Sequence, residues 1–534
     1  MRKLLWLLCI AAACSVTAIA DEGHHDELSQ EQLGTVHFPV SCTPDAQKTF
    51  EKGVALLHSF WYEEAEKTFL EIEKQDPKCA MAHWGVALSL WHQLWDQPNP
   101  DTIKRASVEL KKAHKPKAAT ARERDYIAAA EVFYSKSGKS NHETRARAYS
   151  AAMEKVYQRY PDDHEAAAFY ALSLLASEPD GDTTFANRKK AGAILEKLFE
   201  IEPNHPGIAH YLIHTYDKPQ LAELGLPAAR RYAQIAPFSP HAVHMPSHIF
   251  ARVGEWPDSI QSNLASIAAT RHAASMHMGG EGHQFHAMDF LIYAYLQSGR
   301  EADAAQEIDE VKAMPAMEMA GRDMRAFAMS KFPAMYALEM HRWSDAANLA
   351  MIDGAEPSDR AYTWWAKAIG AARSGDLVAA KKDMAELETI RKDYVTRNKK
   401  YAAEWVEQLQ QEASAWVLQG DGKSEEATAI LRVIADHEDA VGAEQTSMPA
   451  REMLADMLLE MHKPEQALAE YQGDLRFNPK RFNGLYGAAH AAEMAGQASA
   501  ATEYYALLVK TCEGSNSARP ELAKAKQAVV ALKR

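Results

Sequence analysis

The chain has 534 residues, 47% of them apolar and 25% charged, with 26 glycines and 23 prolines, which is the composition of a globular protein and excludes a disordered or collagen-like one. Its formal charge is −14 with histidine counted neutral. That sign gives no electrostatic footprint for a phosphate backbone, so nucleic acid and anionic membrane surfaces are excluded as expected partners, and basic partners or metal cations suit the chain better.

Residues 1–20, MRKLLWLLCIAAACSVTAIA, combine a basic start at Arg2 and Lys3, an apolar run from Leu4 to Cys14 and an Ala18-Ile19-Ala20 cleavage site. The pattern predicts a secretory signal peptide and a periplasmic or secreted mature chain; lipid attachment at Cys14 is the other reading of the same run. The run is shorter than the roughly 20 residues that cross a bilayer, and no transmembrane segment is expected. Residues 21–42 form a lead segment in which His24 and His25 mark a solvated terminus. Cys42, Cys79 and Cys512 remain after cleavage, enough in an oxidising compartment for one disulfide and one thiol.

Residues 46–79 place Gly53 at position 8, Ala65 at 20, Phe69 at 24 and Pro77 at 32 of a 34-residue unit, which is the tetratricopeptide spacing. Units beginning at Met448 and Phe482 put Ala467 and Tyr471, then Ala501 and Tyr505, at positions 20 and 24, and units at Phe327 and Ala361 again lie 34 residues apart. Insertions over 92–104 and 177–186 stretch the period elsewhere. The expectation is an all-α helix-turn-helix solenoid, a right-handed superhelix of roughly ten helix pairs, each burying its face against its neighbours. It divides into an N-terminal region over 43–202, a histidine-rich central region over 203–298 and a C-terminal region over 299–534. Cys42 and Cys79 each precede the first helix of a unit, and stacked helices stand about 8–10 Å apart, so a small loop adjustment closes a disulfide between them.

Of the 23 histidines, ten lie between His205 and His286. At 100° per residue the packing positions of a repeat's first helix share one direction, and positions 2, 5, 9, 12 and 13 point away from it toward the concave groove. A unit starting at Pro206 puts His210, His214 and Asp217 at 5, 9 and 12; one starting at Pro240 puts His241, His244, His248 and Arg252 at 2, 5, 9 and 13; one starting at Phe285 puts His286, Asp289 and Tyr293 at 2, 5 and 9. Three successive helices thus aim imidazoles at one groove, a layout suited to a divalent transition metal such as zinc or copper. Asp217 or Asp289 could add an oxygen ligand or accept from an imidazole N–H. Met245 and Met288 nearby would favour copper. Pro246 belongs in a first turn, which would leave His241 and His244 on an approach loop.

A second cluster, HWGVALSLWHQLW over 83–95, puts Trp84, Trp91 and His92 at groove positions 5, 12 and 13 of a unit starting at Ala80. It reads either as an apolar ligand slot or as packing for the insertion that follows. No phosphate-binding loop, dinucleotide fingerprint, H-E-x-x-H or nucleophile elbow occurs. The segments CAMAHWGVALSLWHQLW, HPGIAHYLIHTYDKP and PHAVHMPSHIFARVGEW resemble a family of exported bacterial tetratricopeptide-repeat proteins, with the likeness running over most of residues 38–300. The resemblance implies the fold, the export and the cysteine and histidine segments as group features, and it brings no activity with it. The repeats and the missing catalytic signatures lead to an exported scaffold binding a protein or peptide in its groove. The histidines lead to a metalloprotein centred on 210–286.

Overall fold

The computed structural model describes residues 30–94, 97–116, 119–134, 141–319 and 322–531. The expected signal peptide, Cys14, His24 and His25 lie outside them. The described residues form 27 helices, from Gln30–Leu33 to Pro520–Ala531, and one two-residue antiparallel pairing of Glu318–Met319 with Arg322–Asp323. Successive helices pack against each other along the whole chain, so the molecule is an all-α helix-turn-helix solenoid. No helix among the described residues is long and apolar enough to cross a membrane.

The repeat signature has a direct packing cause. Phe69, at position 24 of its unit, lies fully buried over two glycines: a Cβ on Gly53 would meet its ring at 2.7 Å and one on Gly85 at 2.4 Å. Tyr471, at position 24 of a distant unit, covers Gly487, where a Cβ would lie 2.2 Å from the ring. Gly85 and Gly487 are both position 6 of the unit that follows, so each aromatic wedges between consecutive helix pairs at a point where only hydrogen fits. Ala65 and Ala467, at position 20, are likewise fully buried. Prolines open the helices Pro44–His58, Pro206–Tyr216, Pro240–His244 and Pro246–Val253, where the missing N–H has no intrahelical partner to lose.

Three apolar cores follow one another, spanning Leu33–Ala273, Ala251–Met335 and Ala334–Ala525. Long-range polar contacts close the chain on itself. Trp61 donates its indole N–H to the Gly279 carbonyl at 2.8 Å, and Trp256 donates to the Lys480 carbonyl at 2.9 Å. Arg481, fully buried, binds Glu452 and Glu339 at 2.8 Å and Tyr293 at 2.5 Å. The 441–446 connection crosses to the central histidines: Lys218 donates to the Val441 carbonyl at 2.6 Å, Arg252 to that of Ala443 at 2.9 Å, and Gln445 to Asp217 at 2.8 Å. Cys42 and Cys79 are joined in a disulfide with their Cα atoms 4.9 Å apart. Cys512 is a buried free thiol whose pKa burial pushes up to about 12.

Two carboxyls lie buried together between the Lys400–Gly420 and Ser424–Val441 helices. The Gln408 amide donates to Glu412 at 3.0 Å and to Glu438 at 2.8 Å, and the Ala450 N–H donates to Glu438 at 2.9 Å. Burial raises Glu412 to about 7, and burial followed by the charge of Glu412 raises Glu438 to about 8. The folded chain therefore keeps protons that the unfolded chain releases. The stability this gives is full below the ordinary carboxyl pKa of 4.5 and is lost as pH rises through the folded values. The thermal midpoint is expected to fall between pH 6 and pH 9, and Glu438→Gln should make that fall smaller by an amount equivalent to on the order of 2 kcal/mol. An equal fall in wild type and variant would contradict the assignment.

Candidate metal centre

Four helical segments carry the central histidines: Pro206–Tyr216, Pro240–His244, Pro246–Val253 and His283–Gln297. His210 and His214 sit one turn apart on the first, as groove register requires. Pro246 does open a helix, yet His241 and His244 are not on a loop. They belong to a one-turn helix that runs through Met245, itself in αR conformation, into the next. The proline only removes one hydrogen bond between the two segments.

The imidazoles form two groups of three. In the first, His214 Nε2 lies 3.0 Å and His241 Nε2 3.1 Å from His210 Nε2, and one ligand atom from each of the three rings falls within 4.8 Å of the others. In the second, His244 Nε2 lies 3.0 Å from His248 Nε2, and His286 completes the set within the same limit. The groups adjoin: the His214 and His248 ring centroids are 6.4 Å apart, and those of His241 and His244 6.1 Å.

The outer nitrogens fix the tautomers. His210 Nδ1 stands 2.6 Å from the His58 carbonyl, which only accepts. His244 Nδ1 stands 2.7 Å from the Asn263 oxygen, which is turned toward it because Asn263 spends its own N–H on the Ser259 carbonyl. His248 Nδ1 stands 2.9 Å from an Asp217 oxygen. Burial alone would raise the Asp217 carboxyl, but Arg252 at 3.1 Å and the His248 hydrogen bond hold it well below the usual range, as an ionised acceptor. Each of these three Nδ1 atoms therefore carries a hydrogen, and the neutral rings of His210 and His244 turn a lone pair inward from Nε2. The His244 lone pair points at His248 Nε2, 3.0 Å away. Burial, followed for most of them by repulsion from neighbouring imidazoles, drives His214, His241, His244 and His286 well below 6.5, and burial takes His210 to about 3. A cation among the nitrogens of either group would take up the lone pairs turned toward it. A tetrahedral ion with nitrogen bonds of about 2.0–2.1 Å separates its ligands by roughly 3.3 Å, close to the spacing observed.

A third buried cluster behaves differently. His58 Nε2 and His205 Nε2 donate to the two oxygens of Glu165 at 2.8 and 3.0 Å, Tyr211 pairs with His58 Nδ1 at 2.8 Å, and the Ile208 N–H donates to His205 Nδ1 at 3.2 Å. Every ring nitrogen there has a hydrogen-bond partner, so no lone pair waits for an ion. Burial would raise the Glu165 carboxyl, and His58 and His205 outweigh it and hold it well below the usual range. The cluster instead fixes His58, whose carbonyl aims His210. Gly207 lets it form, since a Cβ there would stand 2.5 Å from His58 Nδ1. His58, Glu165 and Asn263 were not legible from spacing, because no local signal links His58 to a carboxylate 107 residues away.

The remaining predicted residues are distributed as follows. His286 joins the second group, and Asp217 backs it through His248 rather than offering a direct ligand. Asp289 belongs elsewhere: its carboxylate pairs with Lys331 at 2.8 Å and accepts from Thr446 at 2.9 Å. Arg252 binds Asp217. Trp84 and Trp91 are 1% exposed and do not line a groove; Trp84 packs edge-on to Phe38 and Phe169, and Trp91 stacks on Phe133 at 3.6 Å. His92 stacks on Tyr62 at 4.2 Å. Tyr293 is buried against Trp256 and Arg481. Met245 and Met288 are fully buried in apolar cores.

A cavity of about 680 Å³ opens above the histidines, lined by His214, His248 and His286 on one side. Gln93 and Leu94 from one insertion, 178–182 from the other, the 441–444 connection, and Arg188, Asp217, Lys218 and Arg252 also line it.

No protein-family model matches the chain, and no curated protein matches it. Among solved structures it is similar to a human IFIT1 dimer with m7Gppp-AAAA, at 11% identity over 86% of this chain and 95% of that one, with a TM-score of 0.34. It is also similar to the TPR domain of P58(IPK), at 14% identity over 92% of this chain and 99% of that one, with a TM-score of 0.19. Both scores are low, and the fold assignment rests on this chain's own helix pairs.

The hydrogen-bond pattern predicts the proton positions of the metal-free protein. In nitrogen NMR at neutral pH, His210 and His244 are expected as Nδ1–H tautomers, and Asn263→Ala should release His244 alone to a mixture. A dominant Nε2–H signal from His244 in the unsubstituted protein would refute the pattern.

Proposed function

We propose that this chain is an exported metalloprotein in which a helical-repeat scaffold holds two transition-metal ions side by side, one in each three-histidine group. The carrying observation is the convergence of ring nitrogens: in each group three imidazoles offer ligand atoms within 4.8 Å of one another, and His210 and His244 are held with Nε2 inward by an oxygen on the opposite nitrogen. All-imidazole sets suit zinc or copper. Three protein ligands leave a coordination position open, as reactive centres do and closed structural sites do not, and the second group borders the cavity. The Cys42–Cys79 disulfide supports export, since disulfides persist in oxidising compartments. A peptide in the concave groove is the less favoured reading, because Trp84, Trp91 and Tyr293 are at most 3% exposed and already packed.

Protein prepared from the periplasm without affinity tags or chelators is expected to carry about two equivalents of zinc or copper, with His214→Ala and His248→Ala each losing about one. Elemental analysis finding less than about a tenth of an equivalent, together with no metal-induced rise in melting temperature, overturns the reading.

A further inference from the structure

We propose that the cavity beside the second histidine group takes a small oxyanion, a carboxylate or phosphate group, that bridges the Lys218 ammonium and the open metal position; the inference rests on the metal reading above. Three cations line that wall: Arg188, Lys218 and Arg252. Two of them are committed. Arg188 grips both oxygens of Glu178 at 2.8–3.0 Å and donates to the His214 carbonyl at 2.6 Å. Arg252 is held by Asp217 and the Ala443 carbonyl. Lys218 donates to the Val441 carbonyl at 2.6 Å, and among the described residues no carboxylate stands within ion-pair distance of it. One carbonyl engages one of its three N–H groups.

The carboxylates of the cavity do not supply the missing charge. Glu178 and Asp217 serve the two arginines. Glu444 binds Lys331 at 2.8 Å, Asp180 accepts from Tyr401 at 2.5 Å, and Asp182 accepts from the Thr184 and Ala186 backbone N–H groups. Burial and then repulsion from Arg188 lower the Lys218 pKa, with Arg252 adding to the fall and Glu178 and Asp217 opposing it. His214, His248 and His286 border the same space, so an anion held by Lys218 would share the cavity with the open position of a metal held by the second group. Lysine suits this role as a point charge for phosphate and carboxylate oxygens, and a metal with an open position binds and polarises such an oxygen. The volume of about 680 Å³ falls in the range of small-molecule sites.

The test uses full-length protein loaded with cobalt(II), with metal content measured first. Inorganic phosphate and acetate are then titrated separately while the cobalt ligand-field bands are followed. At least one of the two is expected to shift the bands. Lys218→Gln should weaken that anion about tenfold or more with cobalt stoichiometry unchanged, and Lys218→Arg should keep it within about threefold of wild type. Phosphate and acetate responses tell the two anion sources apart. Normal cobalt loading with no band shift, or with equal anion affinity in wild type and Lys218→Gln, overturns the oxyanion site and leaves the metal centre standing. Failure to load cobalt overturns both.

Discussion

An imidazole can turn only one nitrogen inward, and the choice is made by whatever its other nitrogen touches. At His210, His244 and His248 that outer contact is a carbonyl, an amide oxygen and a carboxylate, three chemically different acceptors with one effect. Each keeps a hydrogen on Nδ1 and makes Nε2 the nitrogen turned toward the neighbours. Remove the acceptors and the rings could turn or swap tautomers as ordinary buried histidines do. With them in place, the same nitrogen of each ring is offered to the interior.

The acceptors are themselves supported from far away. The His58 carbonyl is positioned by a ring pinned between Glu165 and Tyr211, so the first repeat of the solenoid reaches the central one at His58 as well as through the Trp61 hydrogen bond to Gly279. Asp217 takes hydrogen bonds from Arg252 and from Gln445, 228 residues downstream. Asn263 comes from the Trp256–Ser275 helix packed behind the second group. Early, middle and late repeats each supply one fixed point to the same few cubic ångströms. A repeat scaffold usually needs contact only between neighbours, and this one departs from that rule where the histidines are.

Much of the architecture was readable because it is periodic. A 34-residue spacing of small and aromatic residues reports a wedge of aromatic over glycine, seen at Phe69 near one end of the solenoid and again at Tyr471 near the other. The 3.6-residue turn likewise assigned His210, His214, His241, His244, His248 and His286 to one side of their helices, and the folded chain brings all six together. What was not readable is what depends on the third dimension. Asp289 occupies the same register position as a ligand would, yet Lys331 on another helix captures it. Trp84 and Trp91 take groove positions on a helical wheel, but Phe38 from the lead segment and Phe133, Tyr149 and Phe169 from later helices pack over that face and make it interior. The oxygens behind the histidines come from a backbone, an asparagine and a carboxylate at unrelated places in the chain, with no spacing to betray them. Pro246 misled for a local reason: a proline marks the start of a helix without forbidding another helix just before it.

The 441–446 connection gives the centre a property that the histidines alone would not. Its contacts with Asp217, Lys218 and Arg252 form one wall of the cavity, and they are made by residues that follow all six imidazoles by at least 155 positions in the sequence, taking 286 and 441 as the nearest pair. A chain produced from its N-terminus has therefore laid out the full set of nitrogens before the piece that narrows access to them exists. The nitrogens and the wall in front of them belong to separate stretches of the chain, and only the folded solenoid joins them.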